Sequence, residues 1–330
     1  MRIRILSGAD VRRAVTMAEA IQTVREAYVQ LAAGDALVPL RTPIPVDSYE
    51  GVTLFMPAYL ASSNALGAKI VSVFPGNAAQ GLPTIHAAII VVEAETGRPT
   101  ALIDGTYLTA LRTGAASGVA TDLLARQDAR VAAIFGAGAQ ARTQLEAICT
   151  VRSINKVWVY DTVFEAAVRF AEDMGTRGLP IPTDISAAKS PKQAVQEADV
   201  VCTATTSTAP VFDDADLKPG VHINGIGSYT PAMQEIPGET VARARVVVDS
   251  RSACLAEAGD LVVPLRLGLF DESGVYGQIG DIAAGRLAAR SSSEEITFFK
   301  SVGVAVQDVS VAALVLRRAE ELRLGVEVEM

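Results

Sequence analysis

The sequence predicts an α/β protein. One domain is a doubly wound parallel sheet; the other is an α+β domain assembled from both ends of the chain. Three observations carry this. Between residues 130 and 248, short apolar strands alternate with helical spacers, the pattern of a parallel sheet covered on both faces. A glycine-rich turn, IFGAGAQA, stands where one of those strands meets a helix. Residues 36–103 have another texture, with β-rich runs parted by Pro39, Pro57, Pro75-Gly76 and Gly81, as in a sheet of hairpins or meanders. A length of 330 residues allows about two domains of roughly 150 each. The expected division is 1–118 with 302–330 for the split domain, and 119–301 for the doubly wound one.

Each element has a local cause. Residues 7–34 read as helix: Thr16 and Glu19 fit a capping box, Ile21, Val24, Tyr28 and Leu31 share a face, and Gly34 is a stop. Strands are expected at 52–56, 69–74, 85–92 and 100–103, and a helix at 105–126. Then come strand 130–135, helix 139–149, strand 156–160, helix 163–175, and strands 198–204, 221–226 and 244–248. A long helical pattern at 302–323 closes the chain; its apolar run is cut by Gln307 and Asp308.

Composition narrows the class. Half the residues are hydrophobic and a fifth charged, which suits a globular chain. The net charge is −8 and no basic block occurs, so nucleic acid is not expected as a partner. Two histidines, His86 and His222, argue against a multi-histidine metal site, and no metal is expected. Three cysteines (149, 202, 254) without a C-x-x-C suit a reducing cytoplasm. No signal-peptide core or membrane-length apolar run is visible.

Gly136, Gly138 and Ala141 form a G-x-G-x-x-A pattern in the context that a dinucleotide (Rossmann) fingerprint requires. Gly136 permits the tight turn, Gly138 lets a pyrophosphate approach the backbone, and Ala141 allows close helix–strand packing. Asp161 ends the next strand, 25 residues after Gly136, where a carboxylate holds ribose hydroxyls and repels a 2′-phosphate. This favours NAD(H) over NADP(H). Thr203 ends the strand before a small polar loop that should border the cofactor, and Cys202 reads as a buried strand residue.

Arg41, Lys69 and Arg112 lie in apolar or small-residue surroundings: VPLRTPIP, LGAKIVSVF and LTALRTGAAS. Cations in such segments call for an anionic partner, and a guanidinium fork suits a carboxylate. Residue types alone leave open whether the three share one site or are independent surface residues. Glu257 and Asp260 read as structural, and no Ser-His-Asp order or Walker loop is present.

Taken together, LRTPIP, Met56-Pro57, GAKIVSVFPGN, GLPTIHAAIIVVEAETGRPTALIDG, TALRTGAASGVAT, IFGAGAQA, INGIGSYTPAMQEI, QIGDIAAGR and FKSVGVAVQD resemble the ornithine cyclodeaminase/mu-crystallin family over nearly the whole chain. The resemblance implies a homodimer whose split domain forms the interface and part of the substrate pocket. It implies that Arg41, Lys69 and Arg112 converge on a substrate carboxylate. It further implies that Thr84, Arg112, Ala139, Gln140, Asp161, Thr203 and Ser301 border the cofactor, with Gly225 and Gly227 near the nicotinamide.

The family includes cyclodeaminases, alanine dehydrogenases, cyclic ketimine reductases and binding proteins. Where its cyclodeaminases carry an aspartate, two residues before the proline of G-x-D-x-P-G-K, this chain has Tyr229. Where ornithine cyclodeaminase has a glutamate for the distal amine, this chain has Leu54, which cannot satisfy an ammonium group. Both departures favour a cyclic imino acid as substrate. The expected reaction is reduction of a cyclic ketimine carboxylate to proline or pipecolate, with Tyr229 or water as proton source. The alternatives are a cyclodeaminase or alanine dehydrogenase-type oxidoreductase, and a non-catalytic binder of cofactor and carboxylate.

Overall fold

The computed structural model describes residues 2–329, so the outermost residues, 1 and 330, of the expected split domain lie outside it. The chain divides into two compact units. One runs to Arg112 and resumes at Val304; the other is Thr113–Gly303. The boundary falls inside the helix Gly105–Leu124.

The first unit is built on a sheet in the order Val326–Glu329, Arg2–Leu6, Pro99–Asp104, Ile85–Glu93, Ala65–Val73, Gly51–Leu60, Ala36–Leu37, with Thr42–Val46 also paired to Gly51–Leu60. The four long strands form an antiparallel meander. Arg2–Leu6 joins parallel to Pro99–Asp104, and Val326–Glu329 adds antiparallel to it. The helix Ala305–Glu321 packs on the meander and on the helix Met17–Ala33.

Register decides which side chains face these helices. Met56, Lys69, Ile89 and Ile103 lie in one row across neighbouring strands, and all four are buried. The next row has the opposite orientation, because successive residues of a strand alternate faces. It holds Phe55 and Ile70, both exposed, and on the same side lies Leu102, paired with Ile5. One face of the sheet is therefore covered and the other presents apolar side chains outward.

The expected helix at 7–34 is two helices, Gly8–Ala14 and Met17–Ala33. Each has its own capping box, Ser7 with Asp10 and Thr16 with Glu19, and Val15 between them is extended. Reading one apolar period through 7–34 missed the second start signal carried by Ser7. Gly34 ends the longer helix at φ 80°, a left-handed conformation that glycine adopts at little cost.

The second unit is a wholly parallel sheet in the order Ile185–Ala187, Lys156–Tyr160, Val131–Phe135, Val200–Thr203, His222–Gly225, Thr297–Lys300, Arg245–Val248, Val275–Gln278. Alternate residues of one strand serve different cores. Ala133, Phe135 and Val201 enter one apolar cluster, whereas Ala132, Ile134, Val200 and Cys202 enter another. Both faces are thus covered, as expected of a doubly wound sheet. Strand order reverses between Val131–Phe135 and Val200–Thr203, the switch point at which such sheets bind ligands.

Sequence reading missed seven strands: Arg2–Leu6, Ala36–Leu37, Thr42–Val46, Ile185–Ala187, Val275–Gln278, Thr297–Lys300 and Val326–Glu329. Each has five residues or fewer, too few to show a period without knowing their partners. Among the described residues no helix is long and apolar enough to cross a membrane.

Candidate functional site

Lys69 stands in mid-strand on the helix-covered face, and the facing helix supplies its partner. Lys69 Nζ donates to Asp308 Oδ1 at 2.8 Å. Arg112 Nε donates to the same oxygen at 2.9 Å. Arg112 also donates to the Gln307 side-chain carbonyl, and the Gln307 amide donates to the Tyr28 hydroxyl. All of these side chains are buried. Burial and the charges of Arg112 and Arg41 push Lys69 down to about 8, against the opposing pull of Asp308. Arg41 is half-buried, and its charge reaches this group. Two of the three expected cations, Lys69 and Arg112, therefore share one carboxylate, and the charge of the third, Arg41, is felt at Lys69.

Asp308 was not among the expected site residues; it read only as a break in an apolar run. It is fully buried, and its Oδ2 has no hydrogen-bond partner. A charged aspartate inside an apolar helical pattern was the one signal that could have flagged it. A buried pair of cations on one carboxylate leaves net positive charge in a place where desolvation is costly, which suits a second, exogenous carboxylate.

The glycine-rich turn of the second unit is built as expected. Gly136 has φ +92°, and a Cβ there would meet the Ala204 carbonyl oxygen at 2.8 Å. That contact seats the turn against the loop after Val200–Thr203, at the switch point. Gly138 is the N-cap of the helix Ala139–Val151 and offers no side-chain cap; nothing lies within 4 Å of its would-be Cβ. The first turn carries no acidic residue. Helix N–H groups without a side-chain cap, beside open space, fit a pyrophosphate. Gln140 Oε1 is buried and without a partner. Asp161 accepts from Ala137 N at 2.8 Å and from Val163 N at 2.9 Å, and so fixes the turn with the carboxylate expected to meet a ribose.

Other expected cofactor residues differ. Thr203 is fully buried and donates its hydroxyl to Glu235 at 2.9 Å; Ser301 is buried and donates to Asp249 at 2.7 Å. Both hydroxyls are engaged by buried carboxylates. Glu235 went unnoticed in sequence, yet it ties two strand ends together. It also accepts from Thr205 N, Gly227 N and Ser228 N. Gly225 and Gly227 are required by this packing: added Cβ atoms would meet the Phe298 ring at 2.7 Å and the Thr205 carbonyl at 2.1 Å. Asp260, read as structural, accepts from Glu235 N and Ile236 N and pairs with Lys300 at 2.8 Å.

Tyr229 follows this loop and is partly exposed, with its hydroxyl pushed up by burial. Thr84 is exposed in the first unit. His222 is buried and paired with Thr297 and Asn224, with its imidazole held down at about 3 chiefly by burial. No group of three metal-ligating side chains gathers among the described residues.

The model of the ornithine cyclodeaminase/mu-crystallin family matches residues 2–322. A Δ1-pyrroline-2-carboxylate reductase of Bacillus cereus is 41% identical over 327 residues, 98% of this chain and 99% of that one. An alanine dehydrogenase of Archaeoglobus fulgidus is 37% identical over 329 residues, 100% of this chain and 99% of that one. Among solved structures, Δ1-pyrroline-2-carboxylate reductase of Thermococcus litoralis in complex with NADH and L-proline aligns at a TM-score of 0.95. It is 42% identical, with 99% of this chain and 100% of that one covered.

Proposed function

Because the chain belongs to the ornithine cyclodeaminase/mu-crystallin family, we propose that it is an NADH-dependent reductase of a cyclic ketimine carboxylate, forming L-proline from pyrroline-2-carboxylate or L-pipecolate from piperideine-2-carboxylate. The observation that carries this reading is the pairing of Lys69 and Arg112 on one oxygen of the buried Asp308, with the charge of Arg41 close by. The reductases of Bacillus cereus and Thermococcus litoralis, and the NADH and L-proline bound to the latter, support the choice of substrate and cofactor.

Arg41 and Arg112 hold the substrate carboxylate, and Lys69 hydrogen-bonds it and fixes the direction of C2. With Lys69 near 8, its ammonium form dominates at neutral pH and is available for this contact. Gly136, Gly138, Ala139, Gln140 and Asp161 hold the dinucleotide, Asp161 at the adenosine ribose. Thr203 and Ser301 act on that side through buried hydrogen bonds. Thr84 in the first unit, and Gly225, Gly227 and Tyr229 in the second, are assigned to the reaction as well, Tyr229 or a water returning a proton to nitrogen. When bound, the nicotinamide supplies the hydride. The ring nitrogen enters protonated, so C2 is already electrophilic and the C=N electron pair settles on nitrogen as the new C–H bond forms. Orientation and electrostatics then supply most of the rate.

Apolar Leu54, packed in the first unit's core, offers nothing to a distal ammonium group and disfavours ornithine and lysine. The Archaeoglobus relative favours one second reading, oxidoreduction of an open-chain amino acid such as alanine. Two further inferences accompany the reading. The outward apolar face with Phe55, Ile70 and Leu102 fits a second copy of the chain, giving a homodimer. Three free, buried cysteines fit a reducing cytoplasm.

A substrate panel with NADH and NADPH tests the proposal: five- and six-membered ketimines, pyruvate with ammonia, ornithine and lysine. Oxidation of NADH with a cyclic ketimine is the expected result. Turnover only with pyruvate and ammonia would transfer the chain to the second reading, and no turnover with any substrate would make it a binding protein.

A further inference from the structure

Asp308 presents two unlike oxygens. Oδ1 takes both cations, Lys69 Nζ and Arg112 Nε. Oδ2, on the same fully buried carboxylate, accepts from nothing. Buried carboxylate oxygens are strong acceptors, and leaving one without a donor is costly. None of the surrounding side chains donates to it. Lys69 and Arg112 already act on Oδ1, and Gln307 is engaged with Arg112 and Tyr28. A molecule that binds beside these cations is placed to supply the missing donor.

A carboxylate held by Lys69 and Arg112 brings its own α-substituent next to Asp308. If that substituent is N–H, the second oxygen gains its donor. If it is a carbonyl or ether oxygen, two acceptors face each other in a site closed to water. We propose that Asp308 is the specificity-determining residue for nitrogen at the α-position: Oδ2 accepts the N–H of an imino or amino acid, and the site thereby rejects 2-oxo acids and other oxygen analogues. The inference rests on the proposed carboxylate site, and it adds a group that reads the neighbouring atom. A site built around an unpaired acceptor discriminates strongly, because the wrong ligand leaves that acceptor buried and unsatisfied.

The test is equilibrium binding by calorimetry of two planar, nearly isosteric carboxylates, pyrrole-2-carboxylate and furan-2-carboxylate, to the full chain with and without NADH. They differ in the ring atom beside the carboxylate, N–H against O. The wild-type protein should bind the pyrrole about tenfold or more tightly than the furan, as expected for a hydrogen bond to a charged acceptor. In Asp308→Asn the amide oxygen should turn to Lys69 and Arg112, placing NH2 where Oδ2 stood. The pyrrole should then weaken by about tenfold, and the ratio fall to about one or invert. Loss of the negative charge alters both carboxylates alike and cancels in the ratio.

Lys69→Met is the control: it should weaken both ligands together and leave their ratio near the wild-type value. A wild-type ratio near one, failure of both ligands to bind, or an unchanged ratio in Asp308→Asn would each overturn the inference. Should the Asn variant not fold, the wild-type ratio decides alone. Turnover of pyrroline-2-carboxylate is measured separately. An active reductase with no preference for pyrrole sinks only the role of Asp308, whereas a strong preference without turnover leaves Asp308 standing and removes the reductase reading.

Discussion

Lys69 and Asp308, 239 residues apart in the chain, form a buried ion pair at 2.8 Å. Arg112 shares the same carboxylate oxygen, so removing Asp308 leaves both cations short of a partner inside the protein. Such clusters are poor sources of stability, because desolvation offsets most of the Coulombic gain. Their presence in a core is better explained by what they bind.

The first prediction concerns that grip. Lys69→Met should lower kcat/KM for the cyclic ketimine by about 10- to 100-fold, the worth of one charge-assisted hydrogen bond to a carboxylate. NADH affinity, read by fluorescence titration, should change by less than about twofold. Undiminished turnover in both Lys69→Met and Arg112→Ala would remove the assigned site.

A pH profile gives a second check. Lys69 sits at about 8 in the ligand-free protein, held down first by burial and then by Arg112 and Arg41. The protonated form grips a carboxylate best, so kcat/KM, which reports the free enzyme, should fall as pH rises above about 8 and level off near the value of Lys69→Met. Stability should move the other way. The folded pKa is depressed below the unfolded value of 10.5, so the unfolded chain binds more protons between 8 and 10.5. Stability rises with pH across that window, by about 3 kcal/mol, and the gain is lost as pH falls back through 8. Urea unfolding of the wild type and Lys69→Met at several pH values isolates the effect; equal slopes for the two would contradict it.

His222 makes the third prediction. Its imidazole is neutral in the folded protein because burial holds it at about 3, below the usual 6.5. This depressed pKa contributes stability that is present above 6.5 and lost as pH falls toward 3. His222→Gln should flatten the acid limb of stability against pH, measured by thermal unfolding. An unchanged limb would assign acid sensitivity to other groups.

Cofactor choice depends on Asp161. Asp161→Ser should weaken NADH relative to NADPH, because the carboxylate that repels a 2′-phosphate is gone. The substitution also removes the acceptor of the Ala137 N–H, so absolute affinities for both should drop. The ratio of the two dissociation constants is the decisive quantity, and no change in it would refute the role given to the carboxylate.

Gly136→Ala supplies the last prediction. At φ +92°, with a carbonyl 2.8 Å from the new methyl, the turn must shift. NADH binding should fall by about tenfold or more while the carboxylate site of the first unit still binds pyrrole-2-carboxylate. Retained NADH affinity would mean that the turn does not hold the dinucleotide.

What the chain order alone settled was local. The turn around Gly136, the capping box at Thr16, the meander between 51 and 104 and the three cations follow from backbone sterics, periodicity and the rarity of charge in apolar segments. These signals act over a few residues and survive without knowledge of the fold. Glu235 and the carboxylate partners of Thr203 and Ser301 had no such signal, and the one charge that marked Asp308 did not name its partners. The side chains these residues pair with lie from 30 to 239 residues away, and which carboxylate meets which donor depends on strand register and helix placement. Only tertiary packing, by removing water and forcing buried polar groups to find mates, decided that Lys69 and Arg112 meet on one aspartate with an oxygen to spare.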